Sequence, residues 1–383
     1  MLHLEDWKMV LARIGIFATL LLSFASSAMA KDFPVGFFGP LSGPAAAYGS
    51  ESLAGAQLAL EEINAGYLGS DKIKLIPADD TASPGVAAQA VQRMIDIDDV
   101  VAVVGGSTSA GTAAAIEVTK EAKVPQLSPL AVDSALTLAN NPWFARIAQS
   151  STTWAERTAE WLKKDKGAKS VYLLVRNDNF GIPLADAFEK KAKEIGLELK
   201  GKIAYEPTSR EFRPTLATVA SAKPDYIVLW GYYTEAGLMA KQMAEMQIKF
   251  PFYVGSAIGI DQYREIAGPS AEGTYGLLYY LAGSIETDAG KKFVQKWNER
   301  YHRTPTQYEG MGYDAMYVLA DAMKRAAAKG GISKQTIRDE IFNTKAFQGA
   351  TGPITILSNG DAQRPLPMAE LVDGKVKLDT LLK

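Results

Sequence analysis

Hydroxyl and aromatic residues, rather than acid–base pairs, mark the places where this chain could do chemistry. The run Gly105-Gly106-Ser107-Thr108-Ser109-Ala110-Gly111 follows the apolar stretch VVAVVG and opens a helical segment. A turn from strand to helix presents free N–H groups and a partial positive charge, so with the hydroxyls of Ser107, Thr108 and Ser109 it suits a small carboxylate. It has no Lys for a phosphate loop and lacks the G-x-G-x-x-G spacing of a dinucleotide turn. Plain helix capping is the competing use of the same hydroxyls. The next turn, Ser128-Pro129-Leu130-Ala131-Val132, closes the same side. Aromatic residues stand directly after other strand-like runs: Tyr48 in the first half, Phe180 and Tyr232-Tyr233 in the second. Any one of these reads as packing, but at matching strand ends they suggest an aromatic-walled cleft around a small molecule. Tyr313, in Met311-Gly312-Tyr313-Asp314, is a further candidate, with packing against a sheet as its alternative.

Composition removes other chemistries. The 383 residues contain no Cys and two His, His3 and His302. Cysteine nucleophiles, zinc sites of several His or Cys ligands, and Ser-His-Asp triads not using His302 are thereby excluded. No G-x-S-x-G elbow, H-E-x-x-H or metal-spaced cluster occurs, so no metal, cofactor or catalytic residue is expected. His302 sits in the charged stretch Asn298–Arg303 and reads as a solvated cation at a helix terminus. With 41 Lys and Arg against 43 Asp and Glu, the net charge of −2 gives no reason to expect nucleic acid or an anionic membrane as partner.

The elements that must position these residues alternate in type. Short β-rich runs and helical-period segments follow one another from Val35 to Ser128 and again from Val171 to Val254, which implies α/β architecture with parallel sheets covered on both faces. Gly105 and Gly231 each end an apolar strand, Pro125 and Pro251 each precede the next, and Tyr48-Gly49 matches Phe180-Gly181, as expected of two similarly wound lobes. Three helical segments, Lys291–Tyr301, Tyr313–Ala328 and Lys334–Phe342, and a closing β-rich section are surplus to two such units; they imply a chain that recrosses to finish each lobe. The apolar run Ile14–Leu22 is too short to span a bilayer, and Ala28-Met29-Ala30 has the small-x-small pattern of a cleavage site. Residues 1–30 therefore read as a signal peptide cleaved near Ala30. Glu5 and Asp6 do not suit its positive end, so translation from Met9 is an alternative start.

At these residues the chain resembles the periplasmic solute-binding proteins of branched-chain amino-acid ABC transporters, of the type I periplasmic binding fold. The resemblance rests on an ordered set: Gly39-Pro40-Leu41-Ser42-Gly43-Pro44 to Tyr48-Gly49, Glu62-Ile63-Asn64, Asp79-Asp80, the hydroxyl loop after Val104-Gly105, Asn179-Phe180-Gly181, Gly231-Tyr232, Ala271-Glu272-Gly273 and Gly312-Tyr313-Asp314-Ala315. It implies two doubly wound parallel-sheet lobes joined by three crossovers and closing by hinge motion. The division implied is residues 31–149 with 282–366 in one lobe, and 150–281 with 367–383 in the other. Ser109 would bind a ligand carboxylate, the Leu130 carbonyl would face the ligand's polar end, and Tyr48, Phe180 and Tyr232 would wall the pocket. Two positions depart from the family: its carboxylate- and ammonium-touching Thr falls on Val132, and its ammonium-pairing acid falls on Ala257. An ammonium buried without a counter-charge is strongly unfavourable, unless Asp261, Glu235 or Asp314 supplies one.

The resulting expectation is a monomeric, non-enzymatic binding protein of the periplasm. It would capture a small organic carboxylate, an amino acid or an aromatic or other organic acid, and deliver it to a membrane ABC permease. An amide- or urea-type ligand, or a sensory role, is the rival within binding proteins. An exported two-lobed hydrolase is the rival of another class.

Overall fold

The computed structural model describes residues 30–138, 141–284 and 287–382. All but the last residue of the signal segment, including His3, falls outside the described residues. Near-continuous apolar runs, rather than alternating ones, form the central strands because helices bury both faces of each sheet.

The first sheet has five parallel strands, β1 (Asp32–Gly39), β2 (Lys72–Asp79), β3 (Ala102–Val104), β4 (Gln126–Ser128) and β5 (Phe144–Arg146), in the order β2-β1-β3-β4-β5. The second repeats that winding with β6 (Ser170–Arg176), β7 (Glu198–Tyr205), β8 (Tyr226–Trp230), β9 (Phe252–Tyr253) and β10 (Tyr275–Leu277), in the order β7-β6-β8-β9-β10. A small antiparallel sheet of β11 (Phe347–Gly349), β12 (Gly352–Ile356) and β13 (Ala362–Gln363) follows. β14 (Leu366–Val372) and β15 (Lys375–Leu382) then extend the second sheet antiparallel beyond β10. The chain thus leaves the first sheet after Arg146, leaves the second after Leu277, and returns to it at Leu366.

The repeat extends to single atoms. A Cβ on Gly49 would stand 2.1 Å from the carbonyl oxygen of Pro40, and one on Gly181 would stand 2.1 Å from that of Arg176. Both glycines let the first turn of a helix lie against the end of the preceding strand. The duplication read from paired sequence positions is therefore present in the strand order and in the turn that follows each first strand.

Several elements differ from the sequence reading. The helix expected from Tyr313 runs from Gln307 to Ala328, because Thr306 and Glu309 form a reciprocal capping box with the Thr306 N–H 2.7 Å from Glu309 Oε2. β5 and β10 have three residues each, too few for a periodic signal. Gly105 and Gly106 open the hydroxyl loop after β3. Their open sides meet Phe38, whose ring atoms would lie 2.5 and 2.6 Å from added Cβ atoms.

The helices Ala46–Glu62 and Gln307–Ala328 pack through glycines. A Cβ on Gly55 would stand 1.8 Å from the Glu309 oxygen, and one on Gly312 would stand 1.9 Å from the Ser52 oxygen. Backbone atoms cannot yield as a side-chain end can, so Gly312→Ala must force the helices apart. It is expected to cost about 1–3 kcal/mol and lower the thermal midpoint followed by circular dichroism; an unchanged midpoint would show that this contact does not hold the helices.

Candidate functional site

In each sheet the strand order changes direction between its first and third strands, β1 and β3 or β6 and β8. The helices after those strands start on either side of a crevice, where open α/β sheets place ligands. Four helices begin there: Ala46–Glu62, Ser109–Glu121, Gly181–Ile195 and Tyr233–Glu245. Between the two crevices lies a narrow cavity of about 20 Å³, lined by Tyr48, Ser107, Ser109, Leu130, Phe180, Tyr232, Ser256, Tyr279 and Tyr308. Wider grooves of about 390 and 460 Å³ lie elsewhere, the first around Arg264 and Arg303 and the second around Tyr67 and Tyr317. They are away from the switch points, and neither has this closed ring of aromatic walls.

Six of the residues expected at the site, Tyr48, Ser107, Ser109, Leu130, Phe180 and Tyr232, line the cavity together. Thr108, Ser128, Ala131, Val132 and Ala257 are buried beside it without lining it. Thr108 caps the helix, its hydroxyl accepting from the Gly111 N–H at 3.3 Å. Ser128 donates to the Gly106 carbonyl at 2.9 Å and accepts from the Ala131 N–H at 3.0 Å, so it braces the hydroxyl loop. The capping and binding readings of this loop are therefore divided among its residues. Tyr313 is a correction: it lies in the groove around Tyr67 and Tyr317, its hydroxyl 3.2 Å from Glu62 and its ring tilted against Phe293 at 4.6 Å. The Gln307–Ala328 helix starts six residues earlier than expected; Tyr313 lies beyond the cavity, and Tyr308 lines it.

Tyr279, Tyr308 and Ser256 were missed. Tyr308 was legible, since Thr306-x-x-Glu309 announces the helix start beside it. Ser256 follows β9 as Leu130 follows β4, so the repeat could have found it. Tyr279 follows a three-residue strand and carried no signal.

The walls lock into one another. Tyr48 stands edge-on to Tyr232, Tyr233 and Tyr308 at 5.2, 5.3 and 5.2 Å, and Phe180 lies 5.0 Å from Tyr232. Across the lobes, the Tyr233 N–H donates to the Tyr48 hydroxyl at 3.2 Å, and the Thr234 hydroxyl donates to the Pro44 carbonyl at 3.0 Å. Behind Tyr232, the Arg176 guanidinium lies 4.3 Å from the ring and is paired with Glu235 and Asp178. Burial raises the pKa values of Tyr48, Tyr232, Tyr279 and Tyr308, so their hydroxyls are neutral.

No residue lining the cavity is charged. Of the three acids considered as ammonium partners, Glu235 is held by Arg176, and Asp261 is paired with Arg264 and half exposed. Asp314, fully buried, accepts from the Ala350 and Thr351 N–H groups at 2.7 and 2.8 Å. None of the three enters the lining.

Beneath the cavity the three crossings meet at one cation. Arg364, on the last crossing, is 4% exposed and donates to carbonyls of Ile147 on the first at 3.4 Å and Tyr279 on the second at 3.0 Å. It also reaches the Thr351 carbonyl and hydroxyl at 3.0 and 2.7 Å. Burial lowers its pKa to about 10, opposed by the nearby Asp314 carboxylate, so it is charged at neutral pH.

These features define a two-lobed binding protein with an aromatic, neutral cleft at facing switch points. The chain matches the model of the family described as "Periplasmic binding protein" over residues 32–375, and it belongs to that family, in its type I, branched-chain amino-acid division. A Leu/Ile/Val-binding protein from Rhizobium johnstonii is 30% identical over 347 residues, 90% of this chain and 93% of that protein. A solved leucine-binding protein from Thermotoga maritima superposes with a TM-score of 0.87 at 28% identity, covering 91% of this chain and 98% of its own. A solute-binding protein of an ABC transporter from R. palustris, solved in complex with benzoate, has the same fold, with a TM-score of 0.83 at 21% identity over 91% of this chain and 96% of its own. These relatives are solute-binding proteins, and the chain is of that kind and not an enzyme.

At the end of β2, Asp80 is fully buried, and its Oδ2 lies close under Gly111 near the start of the Ser109–Glu121 helix. Burial, and secondarily Asp79, push its pKa from 3.8 up to about 6 against the Ala82 N–H that bonds it. The folded protein holds this proton more tightly than the unfolded chain, so stability should fall as pH rises from 3.8 through about 6. Asp80→Asn should flatten that part of the profile in denaturant titrations; an unchanged slope would contradict it.

Proposed function

We propose that this protein is the periplasmic solute-receiving component of an ABC importer and that its ligand is a small organic carboxylate without an α-ammonium, an aromatic acid foremost. The observation that carries this reading is a wholly uncharged lining with serine hydroxyls at a helix start. Ser109 Oγ accepts from the Asp133 N–H at 3.2 Å, which leaves its own proton to donate. Ser107 Oγ is buried without a hydrogen-bond partner among the described residues. A carboxylate at the start of the Ser109–Glu121 helix would meet both hydroxyls and the positive end of the helix. An ammonium in the same cavity would meet no carboxylate.

A cavity of about 20 Å³ has room for about one water molecule, so admission of a solute requires the walls to part. Hinge motion between the lobes, divided near residues 149, 281 and 366, accounts for that opening. Relatives named for leucine, isoleucine and valine support an amino-acid ligand as the second reading.

Ser109→Ala is expected to weaken a benzoate-type ligand by about 1–3 kcal/mol in calorimetry, the loss of one charge-assisted hydrogen bond; equal affinity would remove Ser109 from the site. A thermal-shift screen of benzoate-type acids, short aliphatic acids, leucine and valine tests the ligand class, since binding raises apparent stability by mass action. Stabilisation by the amino acids alone would overturn the reading.

A further inference from the structure

The backbone acceptors of the cavity already have donors supplied by the chain. The Tyr279 hydroxyl donates to the Leu130 carbonyl at 3.0 Å. The Ser256 carbonyl accepts from Gln307 Nε2 at 2.9 Å and from the Tyr308 hydroxyl at 3.0 Å. A ligand cation entering the cleft must share the Leu130 carbonyl with the Tyr279 hydroxyl or displace a donor from the Ser256 carbonyl, whereas a ligand anion finds the protons of Ser109 and Ser107 available.

Tyr279 is the more firmly placed of the two tyrosines. Its N–H donates to Gln307 Oε1 at 2.8 Å, its carbonyl accepts from Arg364, and its ring lies 5.1 Å from that of Trp154. It comes from the second crossing, at the junction of the lobes. The Ser256 carbonyl has two donors, but the Leu130 carbonyl has Tyr279 alone among the described residues. Removing that single hydroxyl would expose a buried acceptor directed at the ligand space.

We propose that Tyr279 is a specificity-determining residue, which disfavours ligands carrying an ammonium by engaging the Leu130 carbonyl with its own hydroxyl. The proposal rests on the carboxylate reading above and names the residue that enforces it. The neutral, burial-stabilised phenol keeps its proton across the physiological range, so the bias does not relax with pH.

Matched ligand pairs that differ only in the amine isolate the effect: 3-phenylpropanoate against phenylalanine, and 4-methylpentanoate against leucine, measured by calorimetry on the full mature chain. The wild-type protein should prefer the acid of each pair. Tyr279→Phe, which keeps the ring, should reduce that preference by about tenfold, the worth of one hydrogen bond. Tyr279→Met, which fills the space without a hydroxyl, should do the same and covers the case in which the first variant fails to fold. Tyr308→Phe should leave the preference intact, because Gln307 still bonds the Ser256 carbonyl. An unchanged preference in folded Tyr279 variants that still bind the acids overturns the assignment, as does an equal loss in Tyr308→Phe. A wild-type protein that prefers the amino acids, or binds neither member of either pair, overturns the carboxylate reading itself and the assignment with it.

Discussion

A single buried guanidinium holds this molecule's two halves in register. Arg364 gives up the solvation of a full charge, a penalty of several kcal/mol in any protein interior, and it recovers that only by reaching carbonyls on the other two crossings and on the small third sheet. The cation is therefore useful only while all the crossings are assembled. Removing it would leave the Ile147, Tyr279 and Thr351 carbonyls without this donor and take away the cation near the buried Asp314 carboxylate. Two walls of the cleft are referenced to this point. Tyr279, whose carbonyl Arg364 holds, forms one wall, and Gln307, bonded to the Tyr279 N–H, starts the helix that brings Tyr308.

The lobes contribute to the cleft in equivalent ways because they are wound alike. The turn after each first strand supplies an aromatic residue, Tyr48 or Phe180. The turn after each third strand supplies hydroxyls in one lobe and Tyr232 in the other, and the turn after each fourth supplies Leu130 or Ser256. The halves differ in polarity. The first lobe offers small hydroxyls at a helix start, and the second offers rings backed by the Arg176 pairs. The carboxylate ligand proposed above would use this division, its charge on the first lobe and its apolar body against the second.

Much of this was legible in the sequence where the physics is local. Long apolar strands, glycines that let a helix touch a strand end, and hydroxyls at a helix start leave marks at fixed spacing, so the winding of both sheets and six of the lining residues could be read. What escaped depends on distant partners. β5 and β10 are strands because neighbours in the sheet pair with them, and three residues show no period of their own. Tyr279 is a wall because of where Arg364, 85 residues later, holds its carbonyl. Tyr313 was misplaced for a related reason: a conspicuous Gly-Tyr-Asp was weighed as a motif, while the capping box that fixes the helix phase went unweighed.

The place of β14 and β15 bears on how the chain comes to be folded. They form the closing edge of a sheet whose other strands lie between residues 170 and 277, with β14 paired to β10 through Tyr275 and Glu370. A chain passing through a membrane from its N-terminus would deliver residues 366–382 after all of those strands. Until then β10 is an open sheet edge, the kind of surface that captures other strands. The first lobe's five strands are all present by Arg146, and the later segment only covers the edge of β5, where the Arg146 N–H donates to the Gly360 carbonyl at 2.9 Å. The second lobe therefore depends on the C-terminal residues for its completion, and loss of the final two strands would affect the sheet that carries Tyr232 before the one that carries Ser109.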